Sequence, residues 1–398
     1  MSSQVYGTGL NSSQGANTIT HFYDRAGIKA ANRVNVYGQF ASKKDMPKNT
    51  GKTFKISKFL HMYDRAQAAG DFATKGYLTG RDLTELQALL DATDGSGVSL
   101  TEGAGATNER SLQKVTVETT LARYGEMIKY TDEVALFSED MMQVRYREEL
   151  GELANSRYED LLQLDLLATT TKAYAGVATS MATLGDALAV DGSEDAEWKV
   201  SYDLIRKATR KLVRNRAKKN TMLVSGSTKI DTKTVAPAFY AIIDAEVKAD
   251  LESLTRGTGA ETEFVYVPAH KYASAATLAE GEVGAMHEVR FVEAEAALYE
   301  KQKGATVPVS YVGNLAYTGT IGSGAKFDVH PILFPTQDAF ATVGLKGMSK
   351  IKFNSEDPST ISPTNPYGTT GFFSYNFFYA SLILESEKVL RVDVLVGN

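Results

Sequence analysis

The chain has 398 residues, 43% hydrophobic and 23% charged, with a formal net charge of −5. These values fit a globular protein of two or three domains, or one large elaborated domain, and exclude a disordered chain. The absence of cysteine removes disulfides, thiolate metal sites and cysteine nucleophiles. The mild acidity gives no global drive to wrap nucleic acid or an anionic membrane.

Met1 to Gln14 is polar and rich in Ser, Gly and Asn, without the basic and apolar regions of a secretory signal. No apolar run approaches the ~18 residues that cross a bilayer. The longest, Phe377 to Leu384, is interrupted by Tyr379 and Ser381. The expectation is a soluble protein folded in cytoplasm, with no membrane partner. Residues 1–50 read as an arm: apolar positions are sparse, and Lys43, Lys44, Pro47, Lys48 and Gly51 interrupt any long element. Such a segment orders only against something else.

Thr53 to Met62 alternates, with Phe54, Ile56, Leu60 and Met62 on one face. Lys58 and Phe59 break the two faces. Val115, Val117, Thr119 and Leu121 alternate likewise, so this second strand is expected beside the first as a long two-stranded arm. A lone hairpin is marginal in water, which points to a neighbouring subunit as its support. Phe54, Ile56, Val115 and Val117 are the expected interface residues. Between the strands come a short helical piece, Gly80 to Leu90, and the turn Asp94-Gly95-Ser96-Gly97.

Ser138 is read as the N-cap of a helix of roughly thirty residues, reaching Ala168 and spanning about 45 Å. Glu139 and Asp140 suit its first turn. Met142, Tyr146, Leu150, Leu153, Leu161, Leu164 and Ala168 form its expected stripe. Arg145, Arg147, Glu148, Glu149, Arg157, Glu159 and Asp160 stay wet or pair with neighbours. A second helix is expected from Ser201, with Ile205, Ala208, Thr209, Leu212 and Val213 on one face. A third is expected after Pro237, with Tyr240, Ile243, Val247 and Leu251 as its stripe. From Glu263 the chain reads as short strands and loops, with a proline-marked loop at Asp357 to Gly368. Two final strands follow, one alternating at Phe373, Tyr375, Phe377 and Tyr379, the other at Leu390, Val392, Val394 and Val396. The class is mixed α+β without internal repeats.

Catalytic signatures are missing. His21, His61, His270, His287 and His330 have no local zinc-ligand spacing. A calcium loop aligned on Gly95 would start at Leu90 and end at Thr101, neither of them a fitting ligand. There is no phosphate-binding loop, dinucleotide fingerprint or nucleophile elbow. No catalytic, metal-binding or cofactor-binding residue is therefore assigned, and no cofactor is expected. One basic cluster runs from Arg206 to Lys219. On a helix its Lys207, Arg210, Lys211 and Arg214 share a face opposite the apolar stripe. Contact with phosphate and contact with a neighbouring subunit both fit that face, as does simple solvation. The lack of aromatic interleaving and the negative overall charge count against nucleic acid.

Several ordered segments carry a family resemblance: Pro47-Lys48-Asn49-Thr50-Gly51, Leu100-Thr101-Glu102-Gly103, Tyr124-Gly125 and Thr131-Asp132-Glu133. Arg147-Glu148-Glu149-Leu150-Gly151-Glu152-Leu153, Gly281-Glu282-Val283-Gly284 and Val289-Arg290-Phe291-Val292 follow in the same order. On these the chain resembles the major capsid proteins of tailed phages, in particular those of the N-four-like podoviruses (schitoviruses). The resemblance implies the Hong Kong 97-like capsid fold. Its divisions would be an N-terminal arm at 1–52 and an extended E-loop hairpin with insertion at 53–130. A peripheral domain with a long spine helix would take 131–200 plus about 341–380, and an axial domain 201–340 plus about 381–398. It implies a non-enzymatic subunit that assembles as hexamers and pentamers into the icosahedral shell around a double-stranded DNA genome. Contact with the packaged DNA would be non-specific, and decoration and portal proteins would join the shell. Assembly would take place in host cytoplasm, and the product would be the virion capsid. A cellular nanocompartment shell of the same fold and an α+β hydrolase with a scattered site are the alternatives.

Overall fold

The computed structural model describes residues 35–59, 83–84, 87, 102–103, 114–137, 142–186, 192–224, 232–256, 263–264, 267–269, 278–346, 351–361 and 365–397. The expected turn at Asp94-Gly97, most of the helical piece Gly80 to Leu90, the Ser138 cap, and His21, His61 and His270 lie outside these residues. The described chain builds two main sheets around one long helix, a mixed α+β architecture.

The first sheet centres on Thr370–Ile383, the long aromatic strand near the C-terminus. One edge of this strand pairs antiparallel with Ala122–Thr131 over ten positions, from Tyr379 opposite Ala122 to Thr370 opposite Thr131. Its other edge pairs with Lys352–Glu356 and then with Phe340–Leu345. Ser42–Met46 adds a parallel fifth strand on Phe340–Leu345. The period-two pattern holds as expected: Phe373, Tyr375, Phe377 and Tyr379 are all buried.

The second, eight-stranded sheet runs in the order Val267–Pro268, Glu282–Met286, Val289–Glu293, Thr232–Ile243, His330–Phe334, Leu390–Val394, Lys172–Tyr174. Asn220–Val224 pairs with Thr232–Ile243 beside that path. Thr232–Ile243 corrects the third expected helix. Tyr240 and Ile243 belong to a strand, and only Ala245–Glu252 is helical. From Ala238 to Ile243 the strand is buried on both faces, so no charged residue breaks this half. Ala238, Tyr240 and Ile242 join one core cluster, while Phe239, Ala241 and Ile243 join another. Pro237 falls where the register against Asn220–Val224 shifts, so it interrupts no regular ladder. Asp244 caps the short helix, accepting the Val247 N–H at 2.8 Å.

The long helix spans Met142–Leu167, 26 residues rather than about thirty. At 1.5 Å per residue it is about 39 Å long. Leu150, Ala154, Leu162 and Leu166 are its buried apolar contacts, whereas Leu164 and Ala168, expected in the stripe, face out. The helix packs against the aromatic strand and also against Tyr240, Ile242 and Leu333 of the second sheet. Touching two sheets widens its buried face, which takes in Glu159 and Gln163 as well. Glu159, expected to stay wet or pair with neighbours, is 1% exposed and is paired.

The expected arm is corrected at its C-terminal end. Val36, Tyr37, Phe40, Ala41 and Met46 are buried, and Tyr37–Phe40 forms a single 3₁₀ turn against the long helix. Residues 36–46 thus order on their own chain. The expected hairpin is present in its described part, while Leu60 to Met62 lie outside the described residues. Thr53–Phe59 pairs antiparallel with Lys114–Thr120, and Leu121, buried, separates it from the strand Ala122–Thr131 of the first sheet.

Candidate assembly surfaces

In the hairpin, Ile56 faces Val117, Phe54 faces Thr119, and Val115 faces Lys58. Alternation puts Phe54, Ile56, Val115 and Val117 on one half-buried face. The opposite face is exposed and carries an ion pair between Lys55 and Glu118 at 2.6 Å, with Ser57 3.2 Å from Thr116. The register places Lys55 and Glu118 opposite each other on this face. Phe54 differs from the other three. It sits at the root of the hairpin, packed with Met46, Leu121, Val343 and Ala380 of its own chain. Ile56, Val115 and Val117 reach beyond that cluster.

The basic helix spans Tyr202–Arg214. Ser201 caps it by accepting the Leu204 N–H at 3.2 Å, and Asp203 lies in its first turn. Leu204, Ile205, Ala208, Thr209 and Leu212 are buried against the second sheet, while Val213, expected on that face, is exposed. Lys207, Arg210 and Arg214 point to solvent. Lys211 does not share their face: its Nζ donates to the Lys172 carbonyl at 2.9 Å, and burial lowers its pKa. Asn215 Nδ2 donates to the Glu387 carbonyl at 2.9 Å, fixing the helix end to the C-terminal segment.

Two polar nodes escaped the sequence reading. Glu159 Oε1 accepts the backbone N–H groups of both Val36 and Tyr37, and Gln163 Nε2 donates to the Tyr37 hydroxyl at 2.9 Å. Asp165 accepts the Tyr379 hydroxyl at 2.8 Å and the Ser381 hydroxyl at 2.6 Å. Both nodes tie the long helix to distant strands. Their one signal is position, since Glu159, Gln163 and Leu166 follow each other at helical spacing on the buried side.

Among the described residues no group of three or more His, Asp or Glu side chains is placed to hold a metal ion. His330 is paired through Nδ1 with Asp244, and its ring lies parallel to that of Tyr299 at 5.1 Å. No described helix is long and apolar enough to cross a membrane.

The architecture matches solved phage capsids along its whole length. The capsid of Ralstonia phage GP4 superposes with a TM-score of 0.53 at 10% identity, covering 98% of this chain and 99% of that one. The capsid of cyanophage P-SCSP1u gives 0.51 at 10% identity, covering 97% and 96%. At such identities the likeness establishes the fold: the chain has the fold of phage capsid proteins. The sequence relationship is more particular. The major capsid protein of Pseudomonas phage KPP21 is 27% identical over 403 residues, covering 97% of this chain and 95% of that protein. The chain is thus similar over nearly its whole length to a phage major capsid protein and shares the fold of phage capsids. No family model matches it.

Proposed function

We propose that this protein self-assembles, without turnover, into the icosahedral shell that encloses a phage's double-stranded DNA. The full-length relationship to a phage major capsid protein, on a capsid fold, carries the reading. In this proposal the hairpin strands Thr53–Phe59 and Lys114–Thr120 belong to an extended loop of the Hong Kong 97 type. The first sheet and the long helix form the peripheral domain. The second sheet and its two short helices form the axial domain, which meets its copies in pentamers and hexamers. Assembly in host cytoplasm, non-specific contact with packaged DNA, and recruitment of portal and decoration proteins complete it. The podovirus type follows from the sequence resemblance.

Ile56, Val115 and Val117 are proposed as hairpin residues that dock on a neighbouring subunit. Lys207, Arg210 and Arg214 act chiefly in subunit contact or solvation, with phosphate contact the lesser role. The test is expression of the chain alone, followed by sedimentation and electron microscopy. Megadalton particles of uniform diameter are expected. A protein that stays monomeric under every assembly condition while turning over a defined substrate would overturn the proposal in favour of a hydrolase.

A further inference from the structure

The segment Gly304 to Ala325 contains no charged residue, and neither does Ala173 to Gly185. The fold joins the two: the Ala305 N–H donates to the Leu184 carbonyl at 2.8 Å. Both also lean on one short turn, Asp195–Trp198. A buried Asp195 accepts the Tyr311 hydroxyl and the Asn314 N–H, each at 2.7 Å, and Tyr311 in turn accepts the Leu315 N–H at 3.1 Å. Gly313 completes the staple, because a Cβ there would run into the Tyr311 hydroxyl and the Asp195 carboxylate. At the other end of the turn, Gly176 packs against the Trp198 ring, where a Cβ would stand 3.1 Å away.

This scaffold holds valines out in water. Val309 is 77% exposed, Val312 75% and Val177 81%. Valine has one stiff side-chain torsion, so burying it on an already fixed loop forfeits little entropy. Charge depletion with a charged rim is the composition of a contact centre. Here the rim carries both signs: exposed Glu194 and Glu197 on the turn, and exposed Lys301, Lys303 and Lys326 at the ends of the long uncharged segment.

We infer that this valine-tipped surface is a contact between copies of this chain, and the inference rests on the shell reading above. An acidic rim from one copy meets a basic rim from the next, and the uncharged centre spares a net-negative chain the repulsion of its own copies. A polyanion is disfavoured, since nothing at the centre pairs with phosphate.

The chain's lack of cysteine allows a direct probe. Val312→Cys should react with a maleimide at least tenfold more slowly in shells than in free subunits. Val309→Lys combined with Val312→Lys should leave the thermal midpoint of the free subunit unchanged, yet raise the concentration needed for assembly at least tenfold. Equal labelling rates in both states, or shells from the double variant at the parent's concentration, would overturn this contact while leaving the shell reading intact. If the double variant fails to fold, the labelling result decides alone. A parent chain that forms no particles would overturn the shell reading, and this contact with it.

Discussion

Glu159 is the residue on which the ordered start of the chain depends. One buried carboxylate oxygen satisfies two backbone donors, those of Val36 and Tyr37. Glu159→Ala should strand both, at roughly 1–3 kcal/mol for each buried donor, read as a lowered urea midpoint. Glu159→Gln retains an acceptor and should lose less than half as much. Equal losses would mean that the negative charge, rather than the hydrogen bonds, holds the turn. Tyrosines set the alkaline limit. Burial, chiefly, pushes Tyr240 and Tyr375 up to about 12, and Tyr379 and Tyr311 move in the same direction. A pKa raised in the folded state means stability fully present below the unfolded tyrosine value near 10 and lost as pH rises from there through about 12. Phenolate absorbance should therefore rise for these residues together with the loss of circular dichroism. Complete ionisation near pH 10 with the fold intact would contradict it. Such residues leave faint traces in a sequence, because a buried Glu and a surface Glu are the same letter until the partner strand is placed.

Among the elements, the hairpin and the two C-terminal strands were legible, since alternation of period two survives where one face is wet or aromatic, or, as in Leu390–Val394, where it carries a buried ion pair between Arg391 and Asp393. The strand Thr232–Ile243 was not. Buried on both faces from Ala238 to Ile243, it has no alternation to read there, and Tyr240, Ile243, Val247 and Leu251 mimic helical spacing across two different elements. The long helix was legible as a helix, and Tyr146, Leu150, Leu153 and Leu161 of its expected stripe do pack in the core. Leu164 faces out, however, and Ala154, Glu159 and Gln163 were missed, because the largest apolar residues were assumed to mark the buried side. Leu150→Ala should cost about 2–5 kcal/mol at its fully buried site, whereas half-buried Leu153→Ala should cost less. Leu153→Pro removes an interior hydrogen bond and should abolish soluble, assembling protein. Normal shells from that variant would show that helix continuity is dispensable. For the hairpin, amides of Thr53–Phe59 and Lys114–Thr120 should exchange fast in free subunits and slowly in shells, with Leu150–Leu162 protected in both. Equal hairpin protection in the two states would mean that it rests on its own chain throughout.

At the scale of the molecule, a string of short ordered segments carried the resemblance to phage capsid proteins, while the division of labour between sheets emerged only from pairing. Residues 36–46 and 122–131, read as arm and loop, turn out to supply strands and core to the subunit itself. The basic helix gives a test of what the proposed shell would do with its contents. Replacing Lys207, Arg210 and Arg214 with Gln, while sparing the inward Lys211, should change particle yield or stability more than the length of DNA retained. Normal shells that leak genome would reverse that order and assign the face to phosphate.

Leu121 carries a mechanical consequence. On either side of it the same polypeptide is laced into a different ladder: Lys114–Thr120 to the outlying strand, Ala122–Thr131 to the aromatic strand. Its own N–H is tied to Lys52 at 2.9 Å. Bending between the projecting ribbon and the body is thereby concentrated at one seam, and neither ladder needs to slip a register to permit it. A closed surface tiled by identical pieces must absorb differences in curvature from place to place. In the shell proposed above, the seam offers a joint for that accommodation, as a knuckle does between two rigid bones.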